Sequence, residues 1–341
     1  MKRSHLAAMA VLAATALAGA AAVAAFTLPA SASGEDDATF AVIGDIPYGV
    51  SAIANFPKNI AQINADPAVS WVTHVGDIKN GSSVCGDDYF QMIKSDFDQF
   101  QDPLVYTVGD NEWTDCHRPN NGGYNPLERL AKIREVFFAQ PGHTLGQHSA
   151  RVRSQADLGI PEQVRWVRAG IGFAALHIVG SDNSLVPWTG QGAPTPEQTA
   201  EVLARTSASI QEIHETFAEA RQAQRRAVVL LLQADMFDPT VPTPSFADYY
   251  GFQPIVAAIA RESAAYPGQV YLFNGDSHVY NVDHPLAAGS SWLPFYGISQ
   301  PVTNLSRITV DGSSNATDYL RVTVSRRGPQ VLDWIRVPFT S

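Results

Sequence analysis

The chain has 341 residues, 45% of them hydrophobic, and a formal net charge of −10. That is enough apolar material for the core of one large domain or two small ones. The acidic balance argues against sequence-independent nucleic-acid binding, which needs a basic face, and no such face is evident.

The N-terminus reads as a targeting signal. Lys2 and Arg3 precede a small, apolar run over residues 6–26, and Ala30, Ser31 and Ala32 form an A-x-A site ahead of Glu35, Asp36 and Asp37. This predicts a secretory signal peptide over residues 1–32 and a single domain over 38–340, secreted and extracytoplasmic. An uncleaved anchor is the alternative, since the run is almost long enough to span a bilayer. The alanine richness and the A-x-A site favour cleavage, and no other segment could cross a membrane.

After the signal, strands and helices alternate. Residues 39–45 (TFAVIGD) read as a buried strand, 53–63 as a helix, 71–77 (WVTHVGD) as a strand, 88–100 as a helix and 103–110 (PLVYTVGD) as a strand. That is a βαβαβ pattern with parallel strands. A helix follows over 126–138, and residues 164–180 read as a hairpin turning near Gly170. Thr195, Pro196 and Gln198 open a long amphipathic helix to about Gln222, with a capping box and proline in the first turn. Then come a strand over 227–233, a helix over 254–264, a strand over 269–276 and strand-like runs near Ile308, Val322 and Trp334. The last part is mostly antiparallel in pattern, so mixed sheets are expected. Repeats and low-complexity linkers are absent, and the proline-rich stretches near 187–196 and 239–244 read as surface loops.

Gly-Asp occurs five times, ending at Asp45, Asp77, Asp87, Asp110 and Asp276, and four of the five close a β-like run. In an open parallel sheet the carboxyl ends of the strands face one crevice, where ligands bind. Glycine lets the backbone turn sharply there. A lone Gly-Asp is usually a turn or cap, but four carboxylates converging in one place repel unless cations neutralise them. His278, two residues after Asp276, can reach the same ion, whereas His74 inside a strand reads as a packed histidine.

These segments, GDIPYG, HVGDIKNG, YTVGDNEW and FNGDSHVY, with VVLLLQADMF between the last two, resemble in order and spacing the calcineurin-like metallophosphoesterases, which include the purple acid phosphatases. The resemblance covers residues 39–280. It implies a four-layer α/β/β/α sandwich with mixed sheets, the final strands completing the second sheet. It also implies hydrolysis of phosphate mono- or diesters by a hydroxide bridging two divalent metal ions. Carried over residue by residue, Asp45 matches the first aspartate and Asp77 the aspartate that bridges both metals. In the ungapped match Asp110 falls on the ligand asparagine, Asn111 on the catalytic histidine and Glu112 on the acidic residue. A one-residue slip makes Asn111 the ligand instead.

The departures are specific. Pro47 stands where the family has a histidine that purple acid phosphatases also lack. Gln233 replaces the strand-ending histidine, and Asp276 replaces the first histidine of G-H-x-H, leaving His278 as the second. The implied centre is therefore Asp45, Asp77 and His278, with Asn80 as a further candidate, on one side. On the other stand Asp77, Asp110 or Asn111, Gln233 and Asp276. Such an oxygen-rich set favours Mg²⁺ or Mn²⁺, with Fe, Zn²⁺ or Ca²⁺ as the other possibilities. Asn111 can donate a hydrogen bond but no proton, so His117 is the candidate substitute and Arg118 the candidate phosphate contact; exposed loop residues are the bland reading of both.

Cys85 and Cys116 are the only cysteines of a chain read as exported, and each follows a proposed metal aspartate, so they are expected to form a disulfide. The partner expected is a phosphorylated small molecule. A cation- or phospho-ligand-binding protein on the same fold, without turnover, is the alternative function. The sequence leaves oligomeric state open.

Overall fold

In the computed structural model, which describes residues 38–325 and 327–340, the signal-peptide segment 1–32 lies outside the described residues. The strands are β1 (Thr39–Ile43), β2 (Val69–His74), β3 (Leu104–Tyr106), β4 (Arg153–Gln155), β5 (Ile160–Arg168), β6 (Ile171–Ala175), β7 (Ala227–Leu231), β8 (Gln269–Asn274), β9 (Asn281–Asp283), β10 (Leu305–Thr309), β11 (Asp318–Val324) and β12 (Leu332–Pro338). The main helices are α1 (Gly49–Asn64), α2 (Asp87–Phe97), α3 (Pro126–Phe137), α4 (Pro196–Gln222) and α5 (Gln253–Ala264).

The strands form a five-stranded sheet, β12-β11-β1-β2-β3, and a seven-stranded sheet, β4-β5-β6-β7-β8-β10-β9. Strand alternation sorts their side chains into layers. Ala41 and Ile43 of β1 face Phe56 and Ile60 of α1, in a core that also holds Phe97 of α2 and Ile133 of α3. Phe40 and Val42 face the other sheet, meeting Phe173, Val229 and Phe273. On the second sheet Val228, Leu230 and Leu272 turn outward to Ile213 and Phe217 of α4 and Ile259 of α5. The result is a four-layer α/β/β/α sandwich of mixed sheets. Phe40 lies at its centre, stacked on Trp71 at 4.7 Å and edge-on to Phe173 at 5.5 Å; truncating such an aromatic costs about 3–5 kcal/mol.

The expected parallel order β1-β2-β3 is present. So are the hairpin of β5 and β6 and the α4 capping box, in which Thr195 and Gln198 exchange hydrogen bonds. Two expectations are corrected. β11 and β12 do not complete the second sheet: β11 pairs antiparallel with β1, and β12 with β11. Leu320 and Val322 thereby extend the inter-sheet core from the first sheet's side. β10 does join the second sheet, but runs parallel to β8. The strands expected to run through Asp45, Asp77, Asp110, Gln233 and Asp276 stop two to four residues earlier, because the backbone leaves the sheet to aim those side chains across its edge.

Candidate metal centre

β1, β2 and β3 run parallel, as do β7 and β8, so the segments that follow them emerge at one rim of the sandwich. There the aspartates themselves take the left-handed conformation: φ is 51° at Asp45, 59° at Asp77 and 73° at Asp276, with 62° at His278. Asp tolerates this region better than most residues, at a cost of about 1–2 kcal/mol. The glycines serve a second purpose. A Cβ on Gly109 would lie 2.0 Å from Asp77 Oδ1, and one on Gly275 would lie 2.0 Å from Asp45 Oδ2. Gly109 and Gly275 thus clear space for the carboxylate of a neighbouring Gly-Asp, while a Cβ on Gly44 or Gly76 would meet the Val75 or Gln233 side chain instead. The fifth Gly-Asp is unrelated: Asp87 opens α2 and pairs with Arg129 at 2.6 Å.

Among the described residues two donor groups could hold a cation: Asp45, Asp77 and His278, and Asp77, Asp110 and Asp276, with the donor atoms of each group within 4.8 Å of one another. Asp77 belongs to both. Asp45 is fully buried and Asp77 is 1% exposed. Burial, reinforced by the surrounding carboxylates, pushes Asp77 and Asp276 well above the ordinary carboxylate range. Burial also raises Asp45, although His278, whose Nε2 lies 3.3 Å from Asp45 Oδ1, opposes the shift. Burial works against the His278 imidazolium, but Asp45 outweighs it and lifts its pKa. Buried carboxylates at this separation need protons or a cation to coexist. Oxygen donors with a single imidazole fit a hard divalent ion.

Several groups hold the carboxylates in place. Asp77 Oδ2 accepts from Tyr48 Oη (3.0 Å), Asn111 Nδ2 (2.6 Å) and Gln233 Nε2 (3.2 Å), and its Oδ1 accepts from the Asn111 backbone (3.2 Å). Glu112 is wholly buried and accepts from the backbone of Asp77 (3.2 Å) and Gly109 (2.6 Å) and from Tyr106 Oη (2.7 Å). Lys79, also wholly buried, donates to the carbonyls of Asn80 and Asn111 at 2.8 Å. His74 links two of the loops, bonding the Ile46 carbonyl (3.0 Å) and accepting from the Gly76 N–H (3.2 Å). Burial pushes His74 down to about 4, so it is a neutral packed histidine, as its position in a strand suggested.

Other expected site residues are placed differently. Gln233 Oε1 accepts from the Gly180 N–H at 2.6 Å, which turns its Nε2 toward Asp77 and Asp110. In this arrangement Gln233 orients the two carboxylates. Asn80 folds its Oδ1 back to accept from the Ser82 N–H and hydroxyl. Asn111 bonds Asp77 and Tyr48 through its amide nitrogen. His117 accepts from the Thr189 N–H at 2.9 Å and lies outside both groups; burial, and then Arg118, lowers its pKa. Arg118 pairs with Asp115 at 2.7 Å and its side chain stays 38% exposed. It lies close to Asn111, since a Cβ on Gly81 would be 3.4 Å from Arg118 Nη1 and 2.8 Å from Asn111 Oδ1.

Sequence reasoning missed Tyr48, Lys79 and the turn over residues 180–184. In that turn Ser181 Oγ lies 2.9 Å from both Asp110 and Asp115, and Ser181 to Ser184 all have positive φ. The GSDNS run, rich in residues that accept such a backbone, was its one available signal. The disulfide is present: Cys85 and Cys116 are bonded with Cα atoms 5.9 Å apart, joining the segments that follow Asp77 and Asp110.

No family model matches the chain, and no curated protein matches it. Among solved structures it is similar to GAP50, the anchor in the inner membrane complex of Plasmodium, with a TM-score of 0.44 and 8% identity over 89% of this chain and 90% of that one. It is similar to the NAD nucleotidase of Haemophilus influenzae with a TM-score of 0.44 and 12% identity, over 89% of this chain and 55% of that one. It is similar to the purple acid phosphatase PPD1 from yellow lupin seeds with a TM-score of 0.40 and 12% identity, over 88% of this chain and 53% of that one. The chain thus spans about half the length of the second and third.

Proposed function

We propose that the protein is a secreted, metal-dependent phosphoesterase. Two divalent cations would be held by Asp45, Asp77 and His278 and by Asp77, Asp110 and Asp276. The observation that carries this reading is the sharing of Asp77 between two donor groups, the arrangement a pair of adjacent cations requires. Such cations, when bound, supply an activated water and polarise phosphoryl oxygens. The chain's own residues do the rest. Tyr48, Asn111 and Gln233 fix the Asp77 carboxylate. Arg118, anchored on Asp115 and partly exposed, presents its remaining N–H groups to a phosphoryl oxygen. Secretion rests on the N-terminal segment together with the disulfide, and no helix among the described residues is long and apolar enough to cross a membrane.

A second reading is favoured by one observation. Asn111, which has no proton to give at neutral pH, stands where the resemblance places the catalytic histidine, and His117 is tied through Nδ1 to Thr189 and belongs to neither donor group. On that reading the chain binds a cation or phosphorylated ligand without turnover. One experiment separates the two: metal analysis of the purified protein, with hydrolysis of a generic phosphomonoester and phosphodiester in Mg²⁺, Mn²⁺, Fe, Zn²⁺ or Ca²⁺. Mg²⁺ or Mn²⁺ should restore more activity to stripped protein than Zn²⁺. A full metal load with no hydrolysis under any ion selects the binding protein.

A further inference from the structure

At the opposite ends of the same strands lies a cavity of about 460 Å³, formed where β2 and β3 begin and where the chain enters β7, and bordered by β5 and α4. The six residues from Trp71 in its wall to Asp77 put it on the order of 20 Å from the metal centre at the usual strand rise. Five arginines line it, Arg151, Arg153, Arg165, Arg168 and Arg225, against one carboxylate, Glu219. Arg165 is neutralised by Glu212, Glu215 and Glu219, and Arg153 also bonds Glu219. Among the described residues the other three have no carboxylate at salt-bridge distance. Arg168 rests over the Trp71 ring at 4.8 Å. It is half-buried, and burial lowers its pKa although the charge of Asp102 opposes this.

Guanidinium is a donor only. Arg151, Arg168 and Arg225 therefore leave the wall with positive charge that no carboxylate matches and, apart from Glu219, little to attract a cation. On a chain of net charge −10 this is a local reversal of sign. Planar arginine forks match oxyanions. The volume lies in the range of small-molecule sites. We propose that this cavity is a second, metal-independent binding site for a small oxyanionic ligand of the phosphate class. Arg151, Arg168 and Arg225 hold the anion.

The test is calorimetric titration of metal-stripped, chelator-free protein with inorganic phosphate, pyrophosphate and phenyl phosphate. Saturable binding that weakens at least about tenfold in Arg168→Gln or Arg225→Gln, and persists in Asp77→Asn, is the expected result. Tighter binding of phenyl phosphate assigns the anion to an ester, and equal or tighter binding of the inorganic ions assigns it to free phosphate. Should Arg168→Gln fail to fold, the exposed Arg151→Gln decides the same question. No saturable binding to the stripped wild type, binding unchanged in all three arginine variants, or binding lost in Asp77→Asn overturns the site. The last result would transfer the anion to the metal centre, so failure here leaves the phosphoesterase reading standing.

Discussion

Asp77 is held by four hydrogen bonds from Tyr48, Asn111 and Gln233, so its carboxylate is oriented before any ion arrives. Replacing it with asparagine removes one negative charge from both donor groups and sets an amide against donors already facing it. Asp77→Asn should abolish hydrolysis and at least halve metal content by elemental analysis. Unchanged turnover with full occupancy would refute the shared-ligand assignment. Asn111 leads to a different expectation. A positioned general acid contributes roughly 10²–10⁴-fold, and the amide at 111 cannot act as one. Esters whose leaving groups depart unprotonated, such as aryl phosphates, should therefore be strongly preferred over alkyl esters. A plot of log kcat/KM against leaving-group pKa should be steep, and should flatten in Asn111→His; a flat plot for wild type would mean that another residue delivers the proton.

At the scale of elements, the disulfide ties together the two segments that follow Asp77 and Asp110 across a separation of 31 residues. On the chain-entropy model that closure is worth about 3–4 kcal/mol. The double variant Cys85→Ser/Cys116→Ser should lose roughly this much in denaturant unfolding; a loss under about 1 kcal/mol would show that the loops are held by packing alone. The bond was legible because the sequence offers only two cysteines. The α4 cap was legible for a related reason: Thr195 and Gln198 satisfy each other within four residues. What stayed hidden depends on partners far along the chain. β11 could be seen as a strand, but not that Val322 would pair with Phe40. Gln233 was correctly found at a strand end facing the site, yet its amide is turned by the Gly180 N–H, a group 53 residues away. Residues 181–184, left-handed and individually costly, are supported by distant contacts: Asn183 to Arg205 and Thr206, Asp182 to the Gly251 N–H, and Ser184 to Thr114. Nothing in a local window reveals such support.

Across the whole molecule, buried acids gather at one rim and unpaired arginines at the other, so stability should depend on pH in a way that cations change. Burial raises Asp45, Asp77, Glu112 and Asp276, and pushes Asp115, Asp182 and Glu212 up to about 7. In the unfolded chain all these groups ionise near pH 4. Between about pH 8 and 6.5 the folded, metal-free protein therefore takes up protons that the unfolded chain does not, and stability rises as pH falls. Below that window His74, held at about 4, and His177, lowered by burial, act in the opposite sense, because the unfolded histidines gain protons while the folded ones do not. The Tm of stripped protein should thus climb on acidification from pH 8 and go on climbing, less steeply, toward about pH 5, because the raised carboxylates hold protons that the unfolded chain lacks until near pH 4 and outnumber the two histidines. Cations compete with protons for the same carboxylates, so saturating Mn²⁺ or Mg²⁺ should raise Tm most at pH 8, with the increment shrinking toward pH 6.5. Asp77→Asn, lacking the shared ligand, should flatten both trends. A stripped protein whose Tm instead rises with pH through this window, with a pH-independent cation increment, would mean that the clustered acids are already ionised without a metal, and the electrostatic case for the centre would fail.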